Sequence, residues 1–129
     1  SCFVSFYQHI RRFRIYGKDG ELKRDVILDI LPGQERPDVD DYLRFIHPIS
    51  IYATDSYIYT LNLDMTTEEI ENRKTTPNIQ VFDWEGKPLT QYKLDCFINT
   101  FVVDEVANKI YGAFVEDEDH IYVFNLPRL

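Results

Sequence analysis

The histidines are the first candidates for chemistry, because an imidazole can act as a general base or bind a metal near neutral pH. The chain has three, His9, His47 and His120, and they lie far apart in the sequence. No two of them have the spacing of metal ligands within one element, so we expect no shared metal site. His9 and His120 fall in predicted hairpin connections, where we expect them to be exposed.

The densest group of carboxylates is the acidic run at residues 116–119. It lacks the alternating ligands and central glycine of a calcium-binding EF-hand loop, so a solvated hairpin tip is favoured. The serines Ser5, Ser50 and Ser56 have no nucleophile-elbow context, and no glycine-rich phosphate loop is present. We therefore expect no catalytic residue, no bound metal and no cofactor.

Composition excludes several classes of partner. The formal net charge of −8 disfavours nucleic acid and anionic membrane surfaces. No apolar run reaches the roughly 18 residues needed to span a bilayer, so no transmembrane segment is predicted. Cys2 and Cys96 could form a disulfide or remain free thiols, and without a CxxC pair a zinc site has no support.

A short repeat organises the elements that must position these residues. Residues 13–20, 79–86 and 121–125 share an apolar residue, a polar or amphipathic one, a β-branched aliphatic and an aromatic. The first two copies continue into an acidic residue and a glycine, which is a hairpin signal. A partner strand precedes each copy. Residues 2–6 begin 11 residues before the copy at residue 13, and residues 110–114 begin 11 residues before the copy at residue 121, so these two partner strands are aligned with each other.

The repeat predicts an all-β fold. Ten short strands follow one another as an antiparallel meander with no helix between them. If the four strands of a blade are lettered a to d from the innermost to the outermost, their order is b-c-d, a-b-c-d, a-b-c. Phe82 and Phe124 lie 42 residues apart, which fits a propeller blade of about 40–50 residues. We predict roughly two and a half blades of a β-propeller; a β-sandwich is the alternative that the pattern leaves open.

The predicted domain organisation is a single partial propeller over residues 1–129. It divides into a partial blade at 1–30, a blade at 43–95 and a partial blade at 97–126. Two polar insertions, residues 31–42 and 64–77, are predicted to be loops, although Thr66 and Glu69 could cap a helical turn through Ile70. The incomplete blades would leave unpaired edges, which favours self-association if nothing else covers them.

Residues 79–89, together with residues 101–104 and 109–112, resemble TolB-like six-bladed propellers of Bacteroides-type bacteria. Those proteins carry an I-x-V-F-D-W-x-G-x-P-L strand pair followed by an F-x-V-D…K-I-Y-G pair. The resemblance implies the C-terminal part of a six-bladed ring and a periplasmic or cell-envelope location. These motifs describe blade geometry, and the resemblance brings no catalytic residues.

Two functional hypotheses follow. The first is a non-catalytic binding or interaction propeller of the cell envelope, with a protein or glycan as ligand. The alternative is a fragment of a propeller hydrolase or lyase with its site near the central channel. The predicted innermost strands carry His47, Ser50 and Asp104, which we expect to face that channel.

Overall fold

The computed structural model describes residues 2–7, 11–27, 45–72 and 76–127, without the side chains of residues 45–47 and 118. This part of the chain contains ten strands and one short helix. The strands are β1 (Cys2–Tyr7), β2 (Arg12–Gly17), β3 (Leu22–Ile27), β4 (Phe45–Ala53), β5 (Ile58–Thr66), β6 (Asn78–Phe82), β7 (Pro88–Lys93), β8 (Thr100–Asp104), β9 (Lys109–Phe114) and β10 (Asp117–Asn125). The helix, α1 (Thr67–Asn72), lies between β5 and β6.

The strands form three antiparallel sheets, each a meander of consecutive strands. The first sheet has the order β1-β2-β3, the middle sheet β4-β5-β6-β7 and the third sheet β8-β9-β10. Strand β4 contacts both β1 and β8, so the first strands of the three sheets lie next to one another. The predicted order of ten strands is confirmed.

Strand β5, an inner strand of the middle sheet, is buried on both faces. Every residue of this strand except Asp64 is buried. Because successive side chains on a strand point to opposite faces, burial of neighbouring residues means that a second layer covers each face. A two-layer sandwich covers only one face of each sheet, so the sandwich alternative is wrong and the propeller arrangement of blades is correct.

The interface between the first and middle sheets is a compact apolar cluster. Phe13 and Ile15 from β2 pack against Ile58 and Phe82, and all four side chains are buried. The rings of Phe13 and Phe82 meet edge to face with their centroids 4.8 Å apart, a favoured aromatic geometry. Burying each such side chain contributes about 1.5–3 kcal/mol, so this cluster holds the two sheets together.

A larger cluster joins the middle and third sheets. Its buried members are Tyr59, Leu61, Ile79, Val81, Leu94, Ile98, Phe101, Val103, Ile110 and Leu126. A polar clasp reinforces one end of it, where Glu105 Oε1 accepts hydrogen bonds from Thr54 Oγ1 at 2.7 Å and from the Tyr59 hydroxyl at 2.8 Å. Glu105 follows β8, Thr54 lies in the β4–β5 turn and Tyr59 lies on β5, so the clasp ties adjacent sheets.

The prediction of no helix is wrong, because α1 occupies part of the insertion at residues 64–77. The sequence already held the reason: Thr66 Oγ1 accepts from the Glu69 amide at 3.2 Å, and Glu69 Oε1 accepts from the Thr66 amide at 3.4 Å. This is the reciprocal capping box that the Thr66–Glu69 spacing suggested. The other insertion, residues 31–42, lies outside the described residues.

The alignment of β1 with the other repeats is wrong by one residue. Phe3 lies opposite Tyr16 across β1 and β2, as Ile58 lies opposite Phe82 in the middle sheet. Phe3, rather than Cys2, is therefore the counterpart of Ile58. The cause is the β9–β10 hairpin, where a register shift between Asp117 and Tyr122 adds residues that the first sheet lacks.

Neither cysteine is bonded to the other: Cys2 and Cys96 are both free thiols. Within the described residues, no helix is long and apolar enough to cross a membrane.

Candidate functional site

The residues predicted to face a channel lie on the two expected strands, β4 and β8, and their facing toward a channel stays a prediction. His47 belongs to β4, and its side chain is outside the described part of the chain. Ser50 lies mid-strand opposite Leu61 and is half-buried. Asp104 ends β8, and its Oδ1 accepts the Ala107 amide at 3.0 Å. That contact explains Asp104 as a turn residue.

His120 contacts a carboxylate from the acidic run. Its Nδ1 lies 2.8 Å from Asp117 Oδ1, and the Tyr122 hydroxyl donates to Asp117 Oδ2 at 2.5 Å. The hydrogen bond from Tyr122, followed by the one from His120, holds the pKa of the Asp117 carboxyl below its usual range. His9 lies outside the described residues, and among those described no group of three or more His, Cys, Asp or Glu could hold a metal ion.

A ladder of polar side chains was missed by the sequence reasoning. It begins on β5, where the Asn62 amide donates to Thr60 Oγ1 at 3.1 Å and to Asn78 Oδ1 at 3.2 Å. Asn78, at the start of β6, donates in turn to Asp64 Oδ2 at 3.5 Å. Arg11 Nε lies 3.9 Å from Asp64 Oδ1 and links the ladder to the first sheet's β1–β2 connection.

The ladder has a visible signal in the alternation of β5. Tyr59, Leu61, Leu63 and Met65 keep one face of the strand apolar, whereas Ile58 is followed on the other face by Thr60, Asn62 and Asp64. A strand buried on both faces is expected to be apolar on both. One face of β5 changes from apolar to polar along the strand, and this change indicates that its buried polar side chains form hydrogen bonds there.

Asp64 has an unusual backbone. Its φ of 53° lies in the left-handed region, which non-glycine residues adopt at a cost and which Asp and Asn tolerate best. Asp64 lies within β5, and its carboxylate lies between Arg11 and Asn78. Backbone strain of this kind concentrates at functional positions.

A cleft of about 420 Å³ opens beside the ladder. Its lining residues are Leu63, Asp64, Thr76, Asn78, Gln91 and Lys93. They come from β5, β6, β7 and the segment between α1 and β6. The volume is within the range of small-ligand sites, and the lining offers amide, hydroxyl, carboxylate and ammonium groups within one concavity.

The cleft lies at the end of the middle sheet where α1 connects β5 to β6. The turns between β4 and β5 and between β6 and β7 lie at the opposite end, where the Trp84 indole donates to the Thr54 carbonyl at 3.0 Å. A second depression, of about 490 Å³, is lined in part by Tyr92 of β7 and by Val123 and Phe124 of β10. It holds more apolar side chains and fewer convergent polar groups.

Comparison with known proteins finds a family model that matches the central part of the chain. Residues 49–106 match the family model described as TolB-like 6-blade propeller-like. The match runs from β4 into the turn after β8 and includes every residue lining the 420 Å³ cleft. No match was found among curated proteins. Over residues 49–106, this chain is therefore similar to the TolB-like six-bladed propellers.

Proposed function

We propose that the chain is a non-catalytic glycan-binding propeller module of the bacterial cell envelope, with its ligand in the cleft beside α1. The single observation that carries the proposal is the convergence of Asp64, Asn78, Gln91 and Lys93 on one cavity of suitable size. Side chains that both donate and accept hydrogen bonds suit a ligand rich in hydroxyl and amide groups. An oligosaccharide has that chemistry.

Preorganisation supports binding at this place. Asn78 is held by Asn62 on one side and by Asp64 on the other, and Asn62 is itself buried. A side chain that is already fixed loses little conformational entropy when a ligand arrives. Gln91 and Lys93 are exposed on β7 and remain available to contact the ligand directly.

The groups in the cleft favour binding over bond cleavage. Both carboxylate oxygens of Asp64 already have partners, the guanidinium of Arg11 and the amide of Asn78, so Asp64 holds its neighbours in place. The other polar lining groups are a hydroxyl, two amides and an ammonium. The envelope location rests on the family and on the blade motifs shared with TolB-like propellers.

The test is a binding screen against a panel of soluble bacterial envelope oligosaccharides, followed by calorimetric titration of each hit. We expect the wild-type chain to bind at least one oligosaccharide. Lys93→Ala and Gln91→Ala should each weaken binding about tenfold, the effect of losing one good hydrogen bond (about 1.4 kcal/mol).

Lys87→Ala is the matched control. Lys87 is also an exposed lysine of the middle sheet, but it lies in the β6–β7 turn on the side away from α1. The proposal predicts unchanged affinity in this variant. Absence of binding across the panel, or equal losses in Lys93→Ala and Lys87→Ala, would refute the cleft as a glycan site.

A further inference from the structure

A second pocket, of about 360 Å³, lies between the first and middle sheets, at the end of the middle sheet away from α1. Its lining residues are Cys2 at the start of β1, Ala53 at the end of β4, Asp55 in the β4–β5 turn and Trp84 in the β6–β7 turn. The cleft beside α1 is lined by other residues. This pocket is therefore a separate candidate site, and its chemistry depends mainly on Trp84 and Asp55.

Trp84 is fixed in the wall of the pocket by two kinds of contact. Its indole nitrogen donates to the Thr54 carbonyl at 3.0 Å, and its side chain packs against the apolar cluster at the first interface. Because the single polar hydrogen of the indole is already donated, Trp84 offers a ligand aromatic surface and no hydrogen bond. Such a surface attracts cations through the quadrupole of the ring.

Asp55 carries a carboxylate that its own turn does not use. Thr54 closes this turn, because its Oγ1 accepts the Ser56 amide at 3.2 Å and the Tyr57 amide at 3.0 Å. Asp55 is exposed, and no hydrogen bond or ion pair joins its carboxylate to another residue of the described part of the chain. The carboxylate is therefore available to a ligand in the pocket.

Two neighbouring carboxylates have structural roles instead. Asp83 Oδ1 accepts the Glu85 and Lys87 amides, both at 2.9 Å, and so forms the β6–β7 turn. Glu85 Oε2 accepts from Arg24 Nη2 of β3 at 2.6 Å. Asp55 differs from both, because folding of the described residues leaves its negative charge uncompensated beside an aromatic ring.

We propose that this pocket binds a quaternary ammonium group, with the positive charge between the Asp55 carboxylate and the Trp84 ring. A carboxylate and an aromatic ring together favour a cation, and the net charge of −8 attracts cations to the chain as a whole. A primary ammonium is strongly hydrated and has three N–H donors to satisfy, whereas the nearby Thr54 carbonyl is already engaged by the indole. A trimethylammonium group has no N–H donor, so it suits this lining better.

The experiment is a titration of the full chain with choline at constant ionic strength, followed by the indole N–H signal in proton–nitrogen correlation spectra. Trp84 is the single tryptophan of the chain, so one indole signal reports on the pocket. We expect a saturating shift with a Kd on the order of 1–10 mM. Phosphocholine is the second arm of the titration: tighter binding of choline indicates a free amine, tighter binding of phosphocholine indicates a headgroup, and either supports the ammonium site.

Asp55→Asn should raise the Kd about fivefold or more, because it removes the facing charge and keeps the shape of the side chain. Glu85→Gln is the matched control. It removes the same charge from the residue that follows Trp84, but Glu85 is paired with Arg24, so we expect an unchanged Kd. Neohexanol, the uncharged carbon isostere of choline, should give no saturating shift.

Three results would overturn the proposal. The first is the absence of a saturating shift with choline and with phosphocholine up to about 100 mM, well above the expected Kd. The second is an equal loss of affinity in Asp55→Asn and Glu85→Gln, which would mean general attraction to an acidic chain. The third is equal binding of neohexanol and choline, which would mean an apolar pocket without selection for charge.

Discussion

Gly20 and Gly86 occupy matching hairpin turns, one in the first sheet and one in the middle sheet. Their φ angles are 81° and 85°, in the left-handed region that favours glycine. Only their surroundings differ. A Cβ at Gly20 would meet nothing within 4 Å, whereas a Cβ at Gly86 would lie 2.6 Å from Val26 Cγ2 of β3. The β6–β7 turn therefore touches the neighbouring sheet.

This difference gives a matched pair of variants. Gly20→Ala should lower the free energy of unfolding by about 1 kcal/mol, the cost of the backbone conformation alone. Gly86→Ala should lower it by a further 1–3 kcal/mol or so, because the new methyl group overpacks against Val26. Urea denaturation measures both. Equal losses in the two variants would mean that the first and middle sheets are not in contact there.

Tyr59 predicts how stability depends on pH. Burial, reinforced by its hydrogen bond to Glu105, raises the pKa of the Tyr59 phenol well above its ordinary value near 10. A raised pKa in the folded state means that the neutral phenol stabilises the fold. That contribution is complete below the unfolded pKa near 10 and is lost as the pH rises above it.

We therefore expect the free energy of unfolding of the wild type to fall more steeply above pH 10 or so than that of Tyr59→Phe, which has no phenol to ionise. The measurement is a series of urea unfolding curves between neutral and alkaline pH. Identical slopes for the two proteins would show that Tyr59 is ionised freely in the fold, against the clasp with Glu105.

At the scale of elements, the connection from β7 to β8 is fitted closely onto β9. Ile98 is completely buried, and a Cβ at Gly112 would lie 2.5 Å from Ile98 Cδ1 and 3.0 Å from its Cγ2. Any side chain at position 112 would therefore collide with Ile98. The connection from β7 to β8 can pack this closely on β9 only because Gly112 has no side chain.

Gly112→Ala should lower the free energy of unfolding by about 1–3 kcal/mol through overpacking. Ile98→Val alone should cost about 0.5–1.5 kcal/mol by removing the Cδ1 methyl group. In the double variant the two costs should not add, because the cavity left by Cδ1 accommodates the new methyl group. Simple additivity in a double-mutant cycle would contradict the contact.

The elements themselves were largely predictable from sequence, and the exceptions have physical causes. Period-two alternation and acidic-glycine turns indicate the strands and their order. They do not determine the length of the β9–β10 hairpin, so the alignment of Cys2 with Ile110 was off by one residue. The capping residues Thr66 and Glu69 did indicate α1, but its six residues are too few to show a helical period.

The candidate site was harder to predict, because it depends on pairing between strands. Asn62 and Asn78 are 16 residues apart in the chain and meet only when β5 pairs with β6. The prediction instead relied on the innermost strands and named His47, Ser50 and Asp104. The facing of those three toward a central channel remains a prediction.

For the whole molecule, the organising feature is a middle sheet with a neighbour on each face. The two interfaces are chemically different: the first combines an apolar cluster with the polar ladder that includes Asn62, and the second is apolar with a clasp at Glu105. This division allows one face of the middle sheet to supply both packing and a polar cleft. Propellers tolerate such variation because each sheet contacts only its neighbours.

The central claim is that the middle sheet is covered on both faces, and nuclear Overhauser effects between aromatic rings test it most directly. Phe13 and Phe82 span the first interface at 4.8 Å between centroids, and Tyr52 and Phe101 span the second at 6.3 Å. In a sample with selectively labelled rings, the stacked-blade account predicts cross-peaks for both ring pairs in the same folded protein. Cross-peaks for one pair with none for the other would place a single layer on the middle sheet and contradict the account.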